Sequence, residues 1–294
     1  MRQWVLADSS RQGLVRFALI DDETWIIKWP EFYDSADHPT FTDAVLTYCR
    51  AVQADPRHCG CVLSVAGPPV SDIVVIARSR WTISRTGLKS VFDGGADVVN
   101  DVAALGWSLL SASGVKLDPL AGQALHFDRP GRWVVVTLDD GVGAAVLSMD
   151  DDRSATVAAC EPGHMAFAPS NGAECVALAE LLRQRPHVSW EHVLSESNPL
   201  VPNQLAWSET AGEFVGNLVL ATGAWSGVIL TGRHAAKLRL PDAMSRFHNR
   251  LADRPKYGRY VAAVSCSLLA SPDPLIGCAE FLRRTLGGCD DVAQ

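Results

Sequence analysis

Both halves of the chain begin with two apolar strand patterns joined by a polar turn, and then alternate between strand and helix patterns. Residues 4–7 and 14–20 form the first pair, and residues 133–137 and 143–147 form the second. Strands that alternate with helices favour a mixed sheet with helices packed on its faces. The duplication therefore predicts an α/β protein with two lobes and a cleft between them.

The length of 294 residues is sufficient for two domains, each with its own core. We expect a small α/β domain over residues 1–104 and a large α/β domain over residues 105–275. A C-terminal helix within residues 276–294 is expected to pack back on the small domain.

Two further apolar segments predict strands. Residues 24–29 form a third strand pattern, which Pro30 should end because proline lacks a backbone N–H. Residues 260–265 form an apolar run that predicts a buried strand.

Composition limits the partners and the compartment. The formal net charge is −7, and the basic residues form no stripe, which excludes a nucleic-acid surface. No apolar run approaches the roughly 18 residues of a membrane span, and the N-terminus lacks the pattern of a signal peptide. The eight cysteines include no Cys-x-x-Cys pair, as expected for free thiols in a reducing compartment. We expect a cytoplasmic protein without nucleic-acid or membrane partners.

The first candidate site lies at a junction between a strand and a helix. The β-branched pair Val98-Val99 ends in Asn100-Asp101, and a small-residue helix pattern begins at once. A carboxylate at such a junction can act as a general base towards a hydroxyl group. The alternative is that Asp101 only caps its helix, which is a common role for aspartate.

A second group of polar residues follows downstream. The segment Glu161-Pro162-Gly163-His164 is a turn that exposes two polar side chains, and Glu191 lies at a predicted helix start. Taken alone, the turn is typical of a surface loop, and Glu191 is typical of a first-turn acid that favours the helix dipole. Together with the junction they could converge on a polyol, because carboxylates and amides hydrogen-bond neighbouring hydroxyls.

The order and spacing of these motifs resemble the bacterial glucokinase family of the hexokinase–actin superfamily. That family carries an Asn-Asp pair, a Glu-Gly-Gly-His turn and the motif His-Val-Ser-x-Glu-x-Val-Leu-Ser, which matches residues 187–195 here. Pro162 replaces a family glycine and restricts the turn. Weaker similarity extends over residues 63–68, 81–84 and 272–277.

The resemblance implies a two-lobed actin-like ATPase (ribonuclease H-like) fold, with mixed sheets flanked by helices. It also implies a glycolytic kinase that transfers a phosphoryl group from Mg-ATP to the 6-hydroxyl of glucose, with Asp101 as the catalytic base. A hexose, glucose first, is the expected partner, and a homodimer is one expected assembly. The implied hexose ligands are Asn100, Asp101, Glu161, His164 and Glu191. The implied cofactor-binding residues are Asp8, Gly141, Gly143 and Gly232, with Asp8 near the metal.

The sequence departs from the family in each loop that should meet the nucleotide. The first turn, residues 8–13, lacks the family's glycine pair, and the second begins with Asp139-Asp140. The third carries Arg233 where adenine would stack, although Arg233 could instead pair with phosphate oxygens. These changes favour an alternative in which the chain is a non-catalytic homologue. It would bind a sugar or a partner, would have lost ATP binding and would need no cofactor.

Overall fold

The computed structural model describes residues 2–76, 79–112, 114–195 and 207–287. The strands are β1 (Gln3–Asp8), β2 (Leu14–Asp21), β3 (Lys28–Asp34), β4 (Cys59–Val65), β5 (Ile73–Val75), β6 (Thr82–Ser84), β7 (Ala96–Asn100), β8 (Leu117–Ala121), β9 (Gly131–Leu138), β10 (Val142–Met149), β11 (Ala155–Cys160), β12 (Gly227–Thr231) and β13 (Cys266–Leu269). The α-helices are α1 (Phe41–Ala51), α2 (Arg85–Val91), α3 (Asp101–Ser108), α4 (Gly172–Leu182), α5 (Trp190–Leu194), α6 (Trp207–Thr222), α7 (Pro241–Ala252), α8 (Gly258–Ala262) and α9 (Pro274–Gly287). Short 3₁₀ turns cover Pro56–His58, Pro162–His164 and Ala235–Arg239.

The chain divides into two compact units. The first comprises residues 1–114 and 273–294, and the second comprises residues 115–272. The predicted boundary after residue 104 falls inside α3, whose residues all belong to the first unit. Helix α9 also belongs to the first unit, and residues 288–294 of the predicted C-terminal helix lie outside the described residues.

The first unit is built on a mixed sheet in the order β3-β2-β1-β4-β7. Strands β1, β4 and β7 are parallel, so their carboxyl ends lie at one edge. In this register Asp8 is paired with Ser64, and Val65 is paired with Asn100. The sheet therefore places Asp8 and Asn100 at the same edge, two strands apart.

Strand β1 is buried on both faces, as expected for the centre of a sheet covered by helices. Val5 and Ala7 join the cluster that contains Tyr48 of α1. Trp4 and Leu6 join a separate cluster that contains Leu275, Cys278 and Leu282 of α9. Alternate side chains of one strand thus hold a helix on each face.

The second unit contains a sheet in the order β11-β10-β9-β12-β13-β8. Strands β9, β12 and β13 are parallel, with Thr137, Thr231 and Leu269 in register near their carboxyl ends. The strand residues Val134 and Leu230 share one apolar cluster with α6 and α7. In both units, therefore, the carboxyl ends of the parallel strands lie at one edge of the sheet.

Two strand predictions are wrong, and each has a physical reason. The third strand is Lys28–Asp34, which includes Pro30, because β3 is an edge strand whose outer N–H groups need no partner. The predicted strand at 260–265 is instead the end of α8 followed by the turn before β13. Short apolar runs do not distinguish a buried strand from a buried helix.

None of the helices in the described ranges combines the length and the apolar character that a membrane crossing requires.

Candidate active site

Ligands of open α/β sheets bind beyond the carboxyl ends of the strands, where the chain connections diverge to opposite sides. In the first unit this switch point lies between the adjacent strands β1 and β4. On one side of it β1 is followed by β2, and on the other side β4 is followed by β7. In the second unit it lies between β9, which leads to β10, and β12, whose other neighbour is β13. Asp8 ends β1, and Asp139 and Arg233 follow β9 and β12. Each unit thus has polar residues at its switch point.

Asn100 caps α3, whereas Asp101 is the first residue of the helix. The Asn100 side-chain oxygen accepts hydrogen bonds from the N–H groups of Val102 (2.9 Å) and Ala103 (3.0 Å), and its amide donates to the Gly67 carbonyl (3.2 Å). Asp101 Oδ1 also accepts from the Val102 N–H, at 2.9 Å. Because Asn100 already supplies the cap, α3 does not depend on Asp101 for it.

Asp8 lies at the carboxyl end of β1, with only 5% of its surface exposed. Burial raises the pKa of this carboxyl, and a 3.1 Å hydrogen bond from the Ser10 N–H opposes the shift only in part. Its register neighbour Ser64 has a buried hydroxyl with no hydrogen-bond partner among the described residues. Asp8 is the residue at this edge that would hold a magnesium ion, because Mg²⁺ commonly takes one or two carboxylates. Within the described ranges, no three His, Cys, Asp or Glu residues are grouped as a metal site of their own.

The turn that carries Glu161 and His164 is fixed against β10. Pro162 begins the 3₁₀ turn, where its missing N–H costs nothing. Gly163 packs so closely that an added Cβ would lie 2.0 Å from the Val142 carbonyl oxygen. The proline therefore fits this turn, and glycine is required at the next position.

Helix α5 presents Glu191 to the same turn region. Ser189 caps the helix in a capping box with His192. Glu191 Oε2 accepts a 3.0 Å hydrogen bond from the Val142 N–H, and the Ser195 hydroxyl donates to the Asp140 carbonyl at 2.8 Å. Both ends of α5 are thus tied to the turn between β9 and β10.

Glu161, His164 and Glu191 lie close together, because the turn at Gly163 and the Glu191 carboxylate both meet Val142. Burial raises the pKa of the half-buried Glu161, the negative Glu191 raises it further, and His164 opposes both. His164 is itself exposed, and Glu191 is half-buried. The second unit therefore assembles two carboxylates and an imidazole, a set that can bind vicinal hydroxyl groups.

The turn between β9 and β10 holds an ion-pair cluster. Arg233 Nε lies 2.6 Å from Asp139 Oδ1, and its terminal nitrogen lies 2.5 Å from Asp140 Oδ1. Burial opposes ionisation of Asp139, but hydrogen bonds from Arg233 outweigh it and hold the Asp139 pKa below its usual value. Of the predicted nucleotide residues, Gly141 and Gly143 flank Val142, and Gly232 stands next to Arg233.

Gly232 is required by the backbone at this point. Its φ is +99°, and a Cβ there would lie 2.3 Å from the Leu138 carbonyl oxygen. The loop after β12 consequently lies directly against the end of β9. This contact brings Arg233 within reach of both carboxylates.

Two backbone N–H groups at this turn already have acceptors within the protein. A phosphate cradle needs backbone N–H groups that point at the anion. Here the Asp140 N–H donates to Asp139 Oδ1 at 2.9 Å, and the Val142 N–H donates to Glu191. A phosphate at this turn would therefore compete with two side-chain carboxylates for these N–H groups.

The predicted site residues form two groups, one in each unit. Asn100 and Asp101 lie at the sheet edge of the first unit, and Glu161, His164 and Glu191 lie together in the second. Sequence reasoning missed the contributions of Ser64, Val142 and Ser195. Ser195 lies inside the matched 187–195 motif, whereas the backbone donor of Val142 leaves no signal in a side chain.

Comparison with known proteins gives a consistent assignment. The family model described as Glucokinase matches residues 13–198 and 204–285. The glucokinase of Klebsiella pneumoniae subsp. pneumoniae is 26% identical over 308 residues, which cover 92% of this chain and 94% of that protein. The glucokinase of Erwinia tasmaniensis is 26% identical over 309 residues, with the same coverage.

Solved structures agree with these relatives. A glucokinase from an Antarctic psychrotroph superposes with a TM-score of 0.76 at 25% identity, covering 96% of this chain and 99% of that chain. A glucokinase from Balamuthia mandrillaris, solved with glucose, gives a TM-score of 0.73 at 16% identity over 96% and 94% of the two chains, which supports the fold alone. The predicted actin-like ATPase fold is confirmed by these neighbours. With the family model matching most of its length, this chain belongs to the glucokinase family.

Proposed function

We propose that this chain is a glucokinase-type hexose kinase that transfers a phosphoryl group from Mg-ATP to the 6-hydroxyl of glucose, a step of glycolysis. Membership of the glucokinase family supports this reaction class. The proposal assigns the base to Asp101 and the hydroxyl contacts to Asn100, Asp101, Glu161, His164 and Glu191.

The observation that carries the proposal is the division of roles between Asn100 and Asp101. Asn100 satisfies the first N–H groups of α3 and is 5% exposed, so the cap of this helix is already supplied. Asp101 follows it at a half-buried position where a carboxylate is not needed as the cap. A carboxylate at this junction can accept the hydroxyl proton while the oxygen attacks phosphorus.

The second group supplies orientation. Glu161 and Glu191 accept from sugar hydroxyls, and His164 donates or accepts according to its tautomer. Fixed orientation of the reacting hydroxyl is a large part of catalysis in phosphoryl transfer, where the protein forms few bonds itself. The close packing of Gly163 and the cap of α5 fix the backbone that carries these side chains, which supports a binding role.

Asp8 is the residue that would hold magnesium, which neutralises charge on the phosphates when bound. Its raised pKa reflects burial, and a nearby divalent cation would favour the ionised form instead. The buried Ser64 hydroxyl beside it adds an oxygen at the same switch point.

A specific observation favours the second candidate, a non-catalytic homologue that binds a sugar or partner and has lost ATP binding. The Asp140 and Val142 N–H groups already donate to carboxylates, and Arg233 fills the turn. Under this alternative the residues proposed for the hydroxyl contacts keep their binding role, although no phosphoryl donor binds.

Calorimetry with glucose, followed by a coupled assay for glucose 6-phosphate with Mg-ATP, tests both candidates. Binding with turnover that Asp101→Asn abolishes supports the kinase, and Asp93→Asn, an exposed carboxylate, serves as the matched control. Binding without turnover from ATP, ADP, GTP or polyphosphate supports the non-catalytic homologue. If no hexose binds at millimolar concentration, the kinase and the sugar-binding form of the non-catalytic homologue are both wrong.

A further inference from the structure

The turn between β9 and β10 already carries its own anions. Asp139 accepts from the Asp140 N–H at 2.9 Å, and Glu191 accepts from the Val142 N–H at 3.0 Å. An incoming phosphate must displace these carboxylates before it can use the same donors.

Arg233 stabilises this arrangement from the neighbouring strand end. Its Nε and terminal nitrogen reach Asp139 at 2.6 Å and Asp140 at 2.5 Å, and its own N–H donates to Asp139 Oδ2 at 3.3 Å. The hydrogen bond that Arg233 donates to Asp139 raises the pKa of the Arg233 guanidinium. Three carboxylates, those of Asp139, Asp140 and Glu191, and the single guanidinium of Arg233 leave a formal charge of −2 at the turn, which repels a polyanion.

We infer that Asp139 and Asp140, held by Arg233, determine the affinity of this chain for a phosphate-bearing donor and keep that affinity low. The inference rests on the proposed function, because it assigns the donor to this switch point. Arg233 acts here as the counter-ion of two carboxylates, and the turn is closed by contacts within the protein.

The test replaces both carboxylates by amides in Asp139→Asn/Asp140→Asn and measures Mg-ATP binding by calorimetry. A matched control is Asp150→Asn/Asp151→Asn, which changes the net charge equally at the other end of β10. Eight residues of strand place that turn roughly 25 Å away. Arg233→Ala is the third variant, because it leaves both carboxylates without their counter-ion.

The double variant at the β9–β10 turn should bind Mg-ATP about tenfold more tightly than the parent, since two negative charges are removed near the phosphates. This gain in Mg-ATP affinity should shrink when the salt concentration is raised from about 0.05 M to about 0.5 M, because salt screens the charges. Arg233→Ala should bind several-fold more weakly. The inference is overturned if the double variant stays within twofold of the parent, if the Asp150/Asp151 control gains as much, or if Arg233→Ala binds more tightly.

A glucose titration of the same proteins separates this inference from the proposed function. If glucose binds and the donor affinities do not follow the stated order, the inference alone fails. If no variant binds glucose but the donor affinities follow the order, the proposed hexose reaction fails and the assignment of the turn stands.

Discussion

Glu191 Oε2 accepts a 3.0 Å hydrogen bond from the backbone N–H of Val142. A residue that is proposed to bind the sugar is therefore anchored to the turn that is proposed to face the phosphoryl donor. The Ser195 hydroxyl donates to the Asp140 carbonyl at the same turn, at 2.8 Å. Helix α5 therefore connects the proposed sugar-binding residue Glu191 with the proposed donor-binding turn, within one unit. A change at Glu191 should affect both.

Glu191→Ala is expected to weaken glucose binding by about 1–3 kcal/mol, because a sugar hydroxyl and the Val142 N–H both lose an acceptor. Glu191→Gln retains an acceptor oxygen for Val142 and should preserve the melting temperature while still weakening glucose binding. Calorimetry and thermal unfolding measure the two effects. Glu180→Ala, an exposed residue of α4, is the matched control and should change neither. A Glu191→Ala protein with parental glucose affinity would contradict the assignment.

Asn100→Ala is expected to lower the free energy of unfolding by about 1–2 kcal/mol, the usual cost of losing a helix cap. The Val102 and Ala103 N–H groups lose an acceptor, and the Gly67 carbonyl loses a donor. Asp101→Ala should cost less than Asn100→Ala, because Asn100 still supplies the cap and remains an acceptor for the Val102 N–H. Urea denaturation of the two variants measures the difference. Equal losses, or a larger loss for Asp101→Ala, would show that the capping role is misassigned.

Much of this architecture was predictable because its signals are local. Strands β1, β2, β9 and β10 follow from apolar runs around polar turns, and the start of α3 follows from the Asn100-Asp101 junction. The sequence predicts a strand that ends before Pro30, whereas β3 contains this proline, because an edge strand tolerates a residue without an N–H. Position in a sheet is a tertiary property that no local pattern contains.

The candidate site was predictable in its side chains but not in its connections. The resemblance supplied Glu161, His164 and Glu191, and the structure groups them in one unit. The partners of Arg233 were not foreseen, since Asp139 lies 94 residues away in sequence and meets it only because β9 and β12 are neighbours. Backbone donors such as the Val142 N–H carry no side-chain signal at all.

Stability should depend on pH through Glu161, whose pKa is raised above the ordinary value of 4.5 by burial and by Glu191, against the opposing effect of His164. Between 4.5 and the raised value the folded state binds more protons than the unfolded state, so stability falls as the pH rises. Glu161→Gln stays neutral and removes this loss.

The measurement compares urea unfolding of the parent and Glu161→Gln at a series of pH values from 4 to 8. The advantage of the variant should be smallest below pH 4.5, grow as the pH rises through the raised pKa, and then level off. Glu180→Gln, on the exposed surface of α4, should show no such trend. A constant difference between Glu161→Gln and the parent across the range would argue against a raised pKa at this carboxyl.

Glu213 holds a largely buried ion network between α6 and α7 that is separate from the candidate site. Its Oε2 lies 3.1 Å from Arg250 Nε and 3.1 Å from Arg254 Nη1, and all three side chains are 15% exposed or less. Removing one partner of a buried ion network leaves uncompensated charge, at a typical cost of 3–5 kcal/mol. Arg250 keeps Glu174 and Asp253 as partners, so Glu213→Ala should cost about 3 kcal/mol in free energy of unfolding.

The exposed pair of Asp242 and Arg246 on α7 provides the contrast to this network. Their atoms also lie 3.1 Å apart, but the side chains are 81% and 52% exposed. Asp242→Ala should therefore cost less than about 0.5 kcal/mol, because water and salt screen exposed pairs. Urea unfolding of both variants decides the matter, and a Glu213→Ala loss within 1 kcal/mol of the Asp242→Ala loss would contradict a stabilising network. Glucose affinity of the folded Glu213→Ala protein should equal that of the parent, since none of the proposed hexose ligands contacts these residues through the bonds described.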